Sequence, residues 1–227
     1  KGYNKSRGEY LLFINNDCFC MNDIVKPLMK FMEQEESAGL LTGKIHGLDG
    51  KYTGTHKLFP SLSKSIFGSK FARMFNKNKF VSPKTQINEP TLVEVVSGAL
   101  MFFKRDVFDR IKGFDEIFFL DCEEEDISKR VWNLGKKVYM IPEPEVTHAH
   151  GGSKDDSLDL RNEYYISYKK LIFKHYGFIY SSLMMIFVYL KILKLIISRR
   201  CDITLVILAL KGFPDSDSLR YKQKKID

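Results

Sequence analysis

Two periods of apolar residues alternate along this chain, and each change of period marks an element. Residues 9–14 (EYLLFI) form a short apolar, aromatic-rich run between Gly8 and Asn15-Asn16-Asp17, the pattern of a buried strand running into a loop. From residue 22 to 36 the spacing lengthens. Ile24, Leu28, Phe31 and Met32 share one helical face, Asn22 or Asp23 serves as cap, and Pro27 falls near the first turn, where proline is tolerated. Residues 39–45 (GLLTGKI) read as a strand. Residues 92–103 (LVEVVSGALMFF) read as another, interrupted at Ser97-Gly98, where a glycine lets a backbone or ligand come close. A short helix over 105–112 closes at Gly113. Ile127, Val131 and Leu134 then predict an amphipathic helix stopped by Gly135, and a strand flanked by prolines leads to His148.

Between residues 46 and 90 the pattern fades into Gly, Ser, Lys and Asn with scattered aromatics, and the expectation is a long excursion or flap. Beyond residue 155 the composition changes. Residues 162–176 read as an aromatic helix, and Phe178–Ile197 is an apolar run of 20 residues with Lys191 and Lys194 inside and Arg199-Arg200 behind it. That length suits a membrane span with snorkelling lysines, a helix lying in the membrane interface, or a helix docked on a protein core. Residues 204–210 and the KQKK tail add a second apolar and basic step. The expected organisation is an α/β portion over 1–160 and a basic, hydrophobic helical tail over 161–227.

A chain of 227 residues with 44% hydrophobic and 28% charged content is ordinary globular composition, which sets intrinsic disorder aside. The charge is uneven. Residues 161–227 carry 13 Lys+Arg against 5 Asp+Glu, a surplus equal to the whole formal charge of +8. Such a tail suits an anionic membrane surface, because its basic residues alternate with apolar runs. The Lys and Arg residues interleaved with aromatics between Lys57 and Lys79 would suit nucleic acid, but an insertion on the acceptor side of a site explains them as well. Four cysteines without a C-x-x-C pair point to reduced thiols rather than a disulfide scaffold or a structural zinc site.

Three places carry candidate chemistry. Glu123, Glu124, Glu125 and Asp126 stand where the amphipathic helix begins, a position whose free N–H groups and dipole favour carboxylates whether or not they react. Asn15-Asn16-Asp17 lies at a strand end, and ligands of open α/β sheets collect outside such ends; a turn with a capping aspartate has the same letters. His148 and His150 follow the last strand, where either a ligating or a structural histidine fits.

Taken together, the ordered blocks are more specific than any one of them. GFDE, two aromatics, the acidic cluster, R-x-x-x-x-G, a proline and V-x-H-x-x-G-x-S, preceded by YLLFINND and VSGALMFFKRD, resemble the inverting glycosyltransferases of family 2. Within that family the nearest look is to the rhamnosyltransferase-like members that build bacterial surface polysaccharides. The resemblance covers residues 8 to 153. It implies a nucleotide-sugar transferase (GT-A-like) α/β sheet. It also implies inverting transfer from a nucleotide-sugar donor to a growing, lipid-linked glycan of the cell envelope. The place is the cytoplasmic face of the membrane, with peripheral or single-span attachment and no nucleic-acid partner.

By the same resemblance Asp17 and His148 hold a divalent metal, Mn²⁺ or Mg²⁺, against the donor diphosphate, with Asn15 as a neutral variant of the usual first acid. Asn15, Asn16, Gly98, Ala99, Arg105 and Ser153 line the substrates. The family's E-D-x-D pattern puts the base at Glu124, which must take the acceptor hydroxyl's proton. Glu123 and Asp126 remain alternatives, since helical geometry sends those two to one face and Glu124 to another. The family normally opens with a βαβ unit that holds the nucleotide, and only seven residues precede Gly8. The expectation is therefore the C-terminal portion of a transferase, truncated or one half of a split enzyme, with a non-catalytic partner subunit as the alternative.

Overall fold

Among the described residues eight strands, Tyr10–Ile14 (β1), Cys18–Cys20 (β2), Ala38–His46 (β3), His56–Lys57 (β4), Thr91–Leu92 (β5), Val95–Val96 (β6), Leu100–Lys104 (β7) and Lys137–His148 (β8), build two sheets. The larger runs β1-β7-β3-β8-β2, with β5 also paired to β8; β3 and β8 are parallel and every other pairing is antiparallel. The smaller is β4 with β6. These strands come from a computed structural model that describes residues 2–74, 82, 85, 87–149, 158–198 and 202–223. The described residues divide into two compact units. One is drawn from Lys1–Phe59, Phe75–Phe114 and Glu124–Gly152, the other from Pro60–Met74, Asp115–Glu123 and Ser153–Asp227.

In the first unit, alternation along the strands sends side chains to two faces. Leu40, Met101, Phe103, Val138 and Met140 pack with Val107 and Phe108 of Arg105–Arg110 (α3) and with Ile127 and Val131 of Glu123–Asn133 (α4). Leu41, Phe102, Tyr139 and Ile141 face the other way, onto Leu28 and Met32 of Val25–Gln34 (α1). The result is an α/β/α layering in which each fully buried large side chain contributes about 1.5–3 kcal/mol. Helix α1 starts where Asp23 Oδ1 accepts the Val25 and Lys26 N–H groups, both at 3.2 Å. Helix α4 ends as the periodicity predicts, with Gly135 at φ +79°.

Two expectations change in detail. Residues 92–103 are not one interrupted strand but three short ones, because the turn at Ser97-Gly98 hands the chain from the small sheet at β6 to the large one at β7. The last strand contains its prolines rather than being flanked by them. Between Thr42↔Met140 and Lys44↔Glu145 the β8 chain bulges, and Asn22 supplies the missing ladder partners by donating to Glu143 O at 2.7 Å and accepting from the Glu145 N–H at 3.1 Å. Residue 43 must be glycine here, since a Cβ would come within 2.4 Å of Pro144 O. The long excursion holds β4 and a helix, Leu62–Met74 (α2), broken at Gly68 with φ +80°.

The second unit is helical. Leu158–His175 (α5), Phe178–Ile197 (α6) and Ile203–Leu210 (α7) share a core of Ile166, Ile172, Met184, Ile192, Leu205 and Phe213. Asp202 caps α7 by accepting the Thr204 N–H at 2.7 Å. Buried Glu163 accepts from Ser218 Oγ at 3.0 Å and from the Leu219 N–H at 2.8 Å. One face of α6, carrying Met184, Val188 and Ile192, is spent on this core. Its opposite face is apolar and exposed: Ile179, Leu183, Ile186, Leu190, Leu193 and Ile197 recur at alternate spacings of four and three. Ile203, Ile207 and Leu210 make a similar exposed row on α7.

Candidate functional site

The site grows from the turn at Ser97-Gly98-Ala99, which faces two groups of polar residues at once. On one side Ala99 O accepts the Asn15 N–H at 3.2 Å and the Cys18 thiol at 3.6 Å, which fastens the loop leaving β1 to the start of β7. On the other side the Gly98 N–H donates to Glu124 Oε1 at 2.5 Å. Glycine makes room for that bond. A Cβ on residue 98 would come 2.8 Å from Glu124 Oε1, so the absent side chain is what lets the carboxylate reach the backbone.

The loop Asn15–Asp17 turns β1 into β2, with the Cys18 N–H donating to Asn15 O at 3.1 Å. Strand β2 then runs antiparallel to the end of β8, placing Cys18 directly opposite His148. Ala149 N–H donates to Asp17 O at 3.0 Å and locks this corner. His148 Nε2 lies 3.1 Å from Asp17 Oδ1 and 3.3 Å from Asn15 Nδ2. Unprotonated, that nitrogen accepts from the Asn15 amide; protonated, it donates to Asp17. Asp17, Cys18 and His148 each offer a ligand atom, and the three atoms lie within 4.8 Å of one another. Burial holds the Cys18 thiol above its ordinary range, and the charge of Asp17 adds to the shift.

The four carboxylates are sorted by their neighbours. Asp126 is fully buried and takes Arg130 Nε and Nη2 on one oxygen at 2.8 and 2.6 Å, while Arg130 Nη1 donates to Ile111 O and Gly113 O. Its visible work is to tie α4 to the turn after α3. Glu123 is the first residue of α4 and half-buried. Glu124 faces the Gly98 turn and pairs with Lys57 of β4, Nζ to Oε2 at 2.6 Å. Lys57 also stands 3.5 Å from Glu125 Oε1. Burial raises the Glu125 carboxyl above the usual range; Lys57 opposes that shift and the Glu124 charge adds to it.

Of the residues singled out from sequence, Asn15, Asp17, Gly98, Ala99, Glu124 and His148 meet around this turn, and Asn16 is exposed within the same loop. Arg105 stands elsewhere. In the β1·β7 register Ile14 is opposite Leu100 and Tyr10 opposite Lys104, so Arg105 follows the far end of the pair, about 17 Å away by strand rise. There its guanidinium donates to Gly8 O and Ser6 Oγ and covers the Tyr3 ring. Ser153 and His150 lie outside the described residues.

Lys57 and Cys18 escaped the sequence reading as site residues, and Glu125 entered it only as a member of the acidic cluster. Lys57 sits in the stretch taken for an excursion, and only the β4·β6 pairing, Lys57 opposite Val95, carries it to the acidic helix. Cys18 had a signal, its place next to Asp17 at a strand end.

A sequence model described as "Glycosyl transferase family 2" matches residues 1–112. Among curated proteins, the chain is 28% identical over 148 residues to "Rhamnosyltransferase WbbL" of Escherichia coli (strain K12), covering 64% of this chain and 54% of that protein. It is 27% identical over 145 residues to the "N-acetylglucosaminyl-diphospho-decaprenol L-rhamnosyltransferase" of Mycobacterium tuberculosis (strain CDC 1551 / Oshkosh), covering 62% and 47%. The chain thus spans about half the length of the curated relatives it matches. Among solved structures, "Crystal structure of GalNAc-T7 with UDP, GalNAc and Mn2+" aligns at TM-score 0.49 and 17% identity, over 73% of this chain and 32% of that one.

Proposed function

We propose, from the match of residues 1–112 to glycosyltransferase family 2 and the likeness to rhamnosyltransferases, that this protein transfers a sugar from a nucleotide-sugar donor to a growing surface polysaccharide. The acceptor is lipid-linked, like the decaprenol-linked one for which the mycobacterial relative is named, and the displacement is inverting. The observation that carries the reading is the Gly98-Ala99 turn, which holds Glu124 on one side and the Asn15–Asp17 loop with His148 on the other.

Each residue's task follows from that arrangement. Glu124 takes the proton of the attacking hydroxyl, and the Gly98 N–H and Lys57 hold its carboxylate in position until the acceptor arrives. Asp126 orients the helix start through Arg130. Asp17 and His148 fit a divalent ion, since an anionic oxygen and a ring nitrogen face each other at 3.1 Å. Such an ion would supply positive charge for the leaving diphosphate. Asn15 holds the imidazole in place.

The exposed apolar rows of α6 and α7 suit the surface of the membrane that carries a lipid-linked acceptor. α6 is 20 residues long and apolar enough to cross a bilayer by length and composition, but the face already packed in the unit's core favours lying in the interface.

Isothermal titration of the full chain with a panel of nucleotide sugars, with and without Mn²⁺, tests the reading. Metal-dependent binding of at least one donor, followed by transfer to a polyprenyl-linked glycan, is expected. Donor binding without transfer, even when an upstream portion is added, would leave the non-catalytic subunit as the function. No donor binding under either condition would overturn it.

A further inference from the structure

The metal site on which the proposed function rests has a third residue at hand. We infer that Cys18 is a direct ligand in that site, making it an oxygen, nitrogen and sulfur site that prefers thiophilic divalent ions such as Cd²⁺ and Zn²⁺ over Mg²⁺.

Placement is the first argument. In the β2·β8 pair Cys18 is directly opposite His148, and residues so paired project their side chains from the same face of the sheet. Asp17 immediately precedes Cys18 and is fixed by the Ala149 N–H. The thiol points into the site, donating to Ala99 O at 3.6 Å, and is half-buried.

Distance is the second. Tetrahedral bonds of about 2.1 Å to oxygen and nitrogen and about 2.3 Å to sulfur set ligand atoms about 3.4–3.6 Å apart. Asp17 Oδ1 and His148 Nε2 are already at 3.1 Å, and all three ligand atoms lie within 4.8 Å. To close the set the Cys18 thiol has to leave Ala99 O.

Charge is the third. The loop supplies only one carboxylate, since Asn15 and Asn16 are neutral amides. Mg²⁺ prefers an octahedral shell of oxygens, which Asp17 and an imidazole serve poorly. A thiolate adds the second negative charge and the soft atom. On binding, the Cys18 S–H bond breaks, a sulfur–metal bond forms and the proton leaves to buffer, with no redox change.

The test is titration of the full chain with Cd²⁺ in thiol-free buffer, followed by calorimetry and near-ultraviolet absorption. The native protein is expected to develop a thiolate-to-cadmium band that saturates with the binding isotherm. Cys18→Ser should lose the band and bind at least about tenfold more weakly, the cost already seen when an outer-shell partner is lost. Asp17→Asn and His148→Gln should weaken the same isotherm, whereas Cys20→Ser, on the exposed end of β2, should change neither readout. Circular dichroism checks each fold, and Cys18→Ala replaces the serine variant if that one fails to fold. No band in the native protein, an unchanged Cd²⁺ isotherm in the Cys18 variant, or loss of the band in Cys20→Ser would overturn the assignment. Binding of a nucleoside diphosphate is scored separately: its absence beside an intact cadmium–thiolate band would sink the transferase reading and leave this ligand set standing.

Discussion

Lys57 Nζ stands 2.6 Å from Glu124 Oε2, so the carboxylate proposed as base is also an ion-pair partner. The pair is half open to solvent on the lysine side, which makes the lysine movable without unfolding anything. Under the proposed transfer, an acceptor hydroxyl approaching Glu124 has to share or displace that ammonium, while the other oxygen is bonded to the Gly98 N–H.

Substitution separates the chemical carboxylate from the structural one. Glu124→Gln should lower transfer by about 10² to 10⁴, the usual share of a positioned general base, with donor affinity nearly unchanged. Asp126→Asn should instead act on stability, because half-buried Arg130 is left beside Ile111 O and Gly113 O without its counter-charge; on the order of 3 kcal/mol is expected. Turnover, donor affinity and thermal melting are the measurements. A stable but inactive Asp126→Asn beside an active Glu124→Gln would move the base to Asp126.

The pH dependence centres on Glu125. Its carboxyl is raised by burial, so the folded state binds a proton more readily than the unfolded chain. Between the unfolded and the folded pKa, stability falls as pH rises; below the unfolded pKa the contribution is complete and above the folded pKa it is lost. Glu125→Gln should therefore melt higher than the native protein by a margin that grows from pH 4 to pH 8. Lys57→Met, which removes the cation opposing the shift, should lower the native melting temperature most at the alkaline end. A margin independent of pH in Glu125→Gln would show that this carboxyl does not titrate between the two states.

Much of this arrangement was legible where one period governed a whole element. The strand over residues 9–14, the helix on Ile127 and Val131, its stop at Gly135 and the 20 residues of α6 were readable because burial on one face fixes spacing. The α/β class followed from strand and helix periods taken in turn, and the likeness to glycosyltransferase family 2 from ordered motifs. What escaped depended on pairing between distant segments. Nothing local to Lys57 shows that β4 pairs with β6 and meets the acidic helix, and a bulge spread over Pro142 to Pro144 is visible only against Gly43 of the neighbouring strand. Arg105 looked like a site residue by its motif, yet β1·β7 register sets it at the strand end where Gly8 and Ser6 take it up.

Metal removal gives a further measurable outcome. If Asp17 and His148 hold an ion against the diphosphate, chelation should weaken nucleoside diphosphate binding by about tenfold or more, at least about 1.4 kcal/mol. Asp17→Asn should reproduce that loss and become insensitive to chelator. Equal affinity with and without chelator would place diphosphate recognition on other groups, with Asp17 and His148 left as a corner that fastens β2 to β8.

The last prediction concerns the exposed face of α6. Ile186 and Leu190 are about half exposed, at 51% and 53%, on the side opposite Met184, Val188 and Ile192, so changing them leaves the helical core untouched. Buried in an interface, each contributes about 1.5–3 kcal/mol, so Ile186→Glu with Leu190→Glu should cost at least about 3 kcal/mol, roughly a hundredfold in vesicle affinity. Lys191 and Lys194, exposed on the same helix, add attraction to anionic lipid that salt screens over about 10 Å at 0.1 M. Flotation of the full chain with anionic and neutral vesicles, at low and high salt, reads both parts. The native chain should bind anionic vesicles, less so in salt, and the double variant should remain in solution with an unchanged melting temperature. Equal flotation of both proteins would mean that this apolar row does not face lipid.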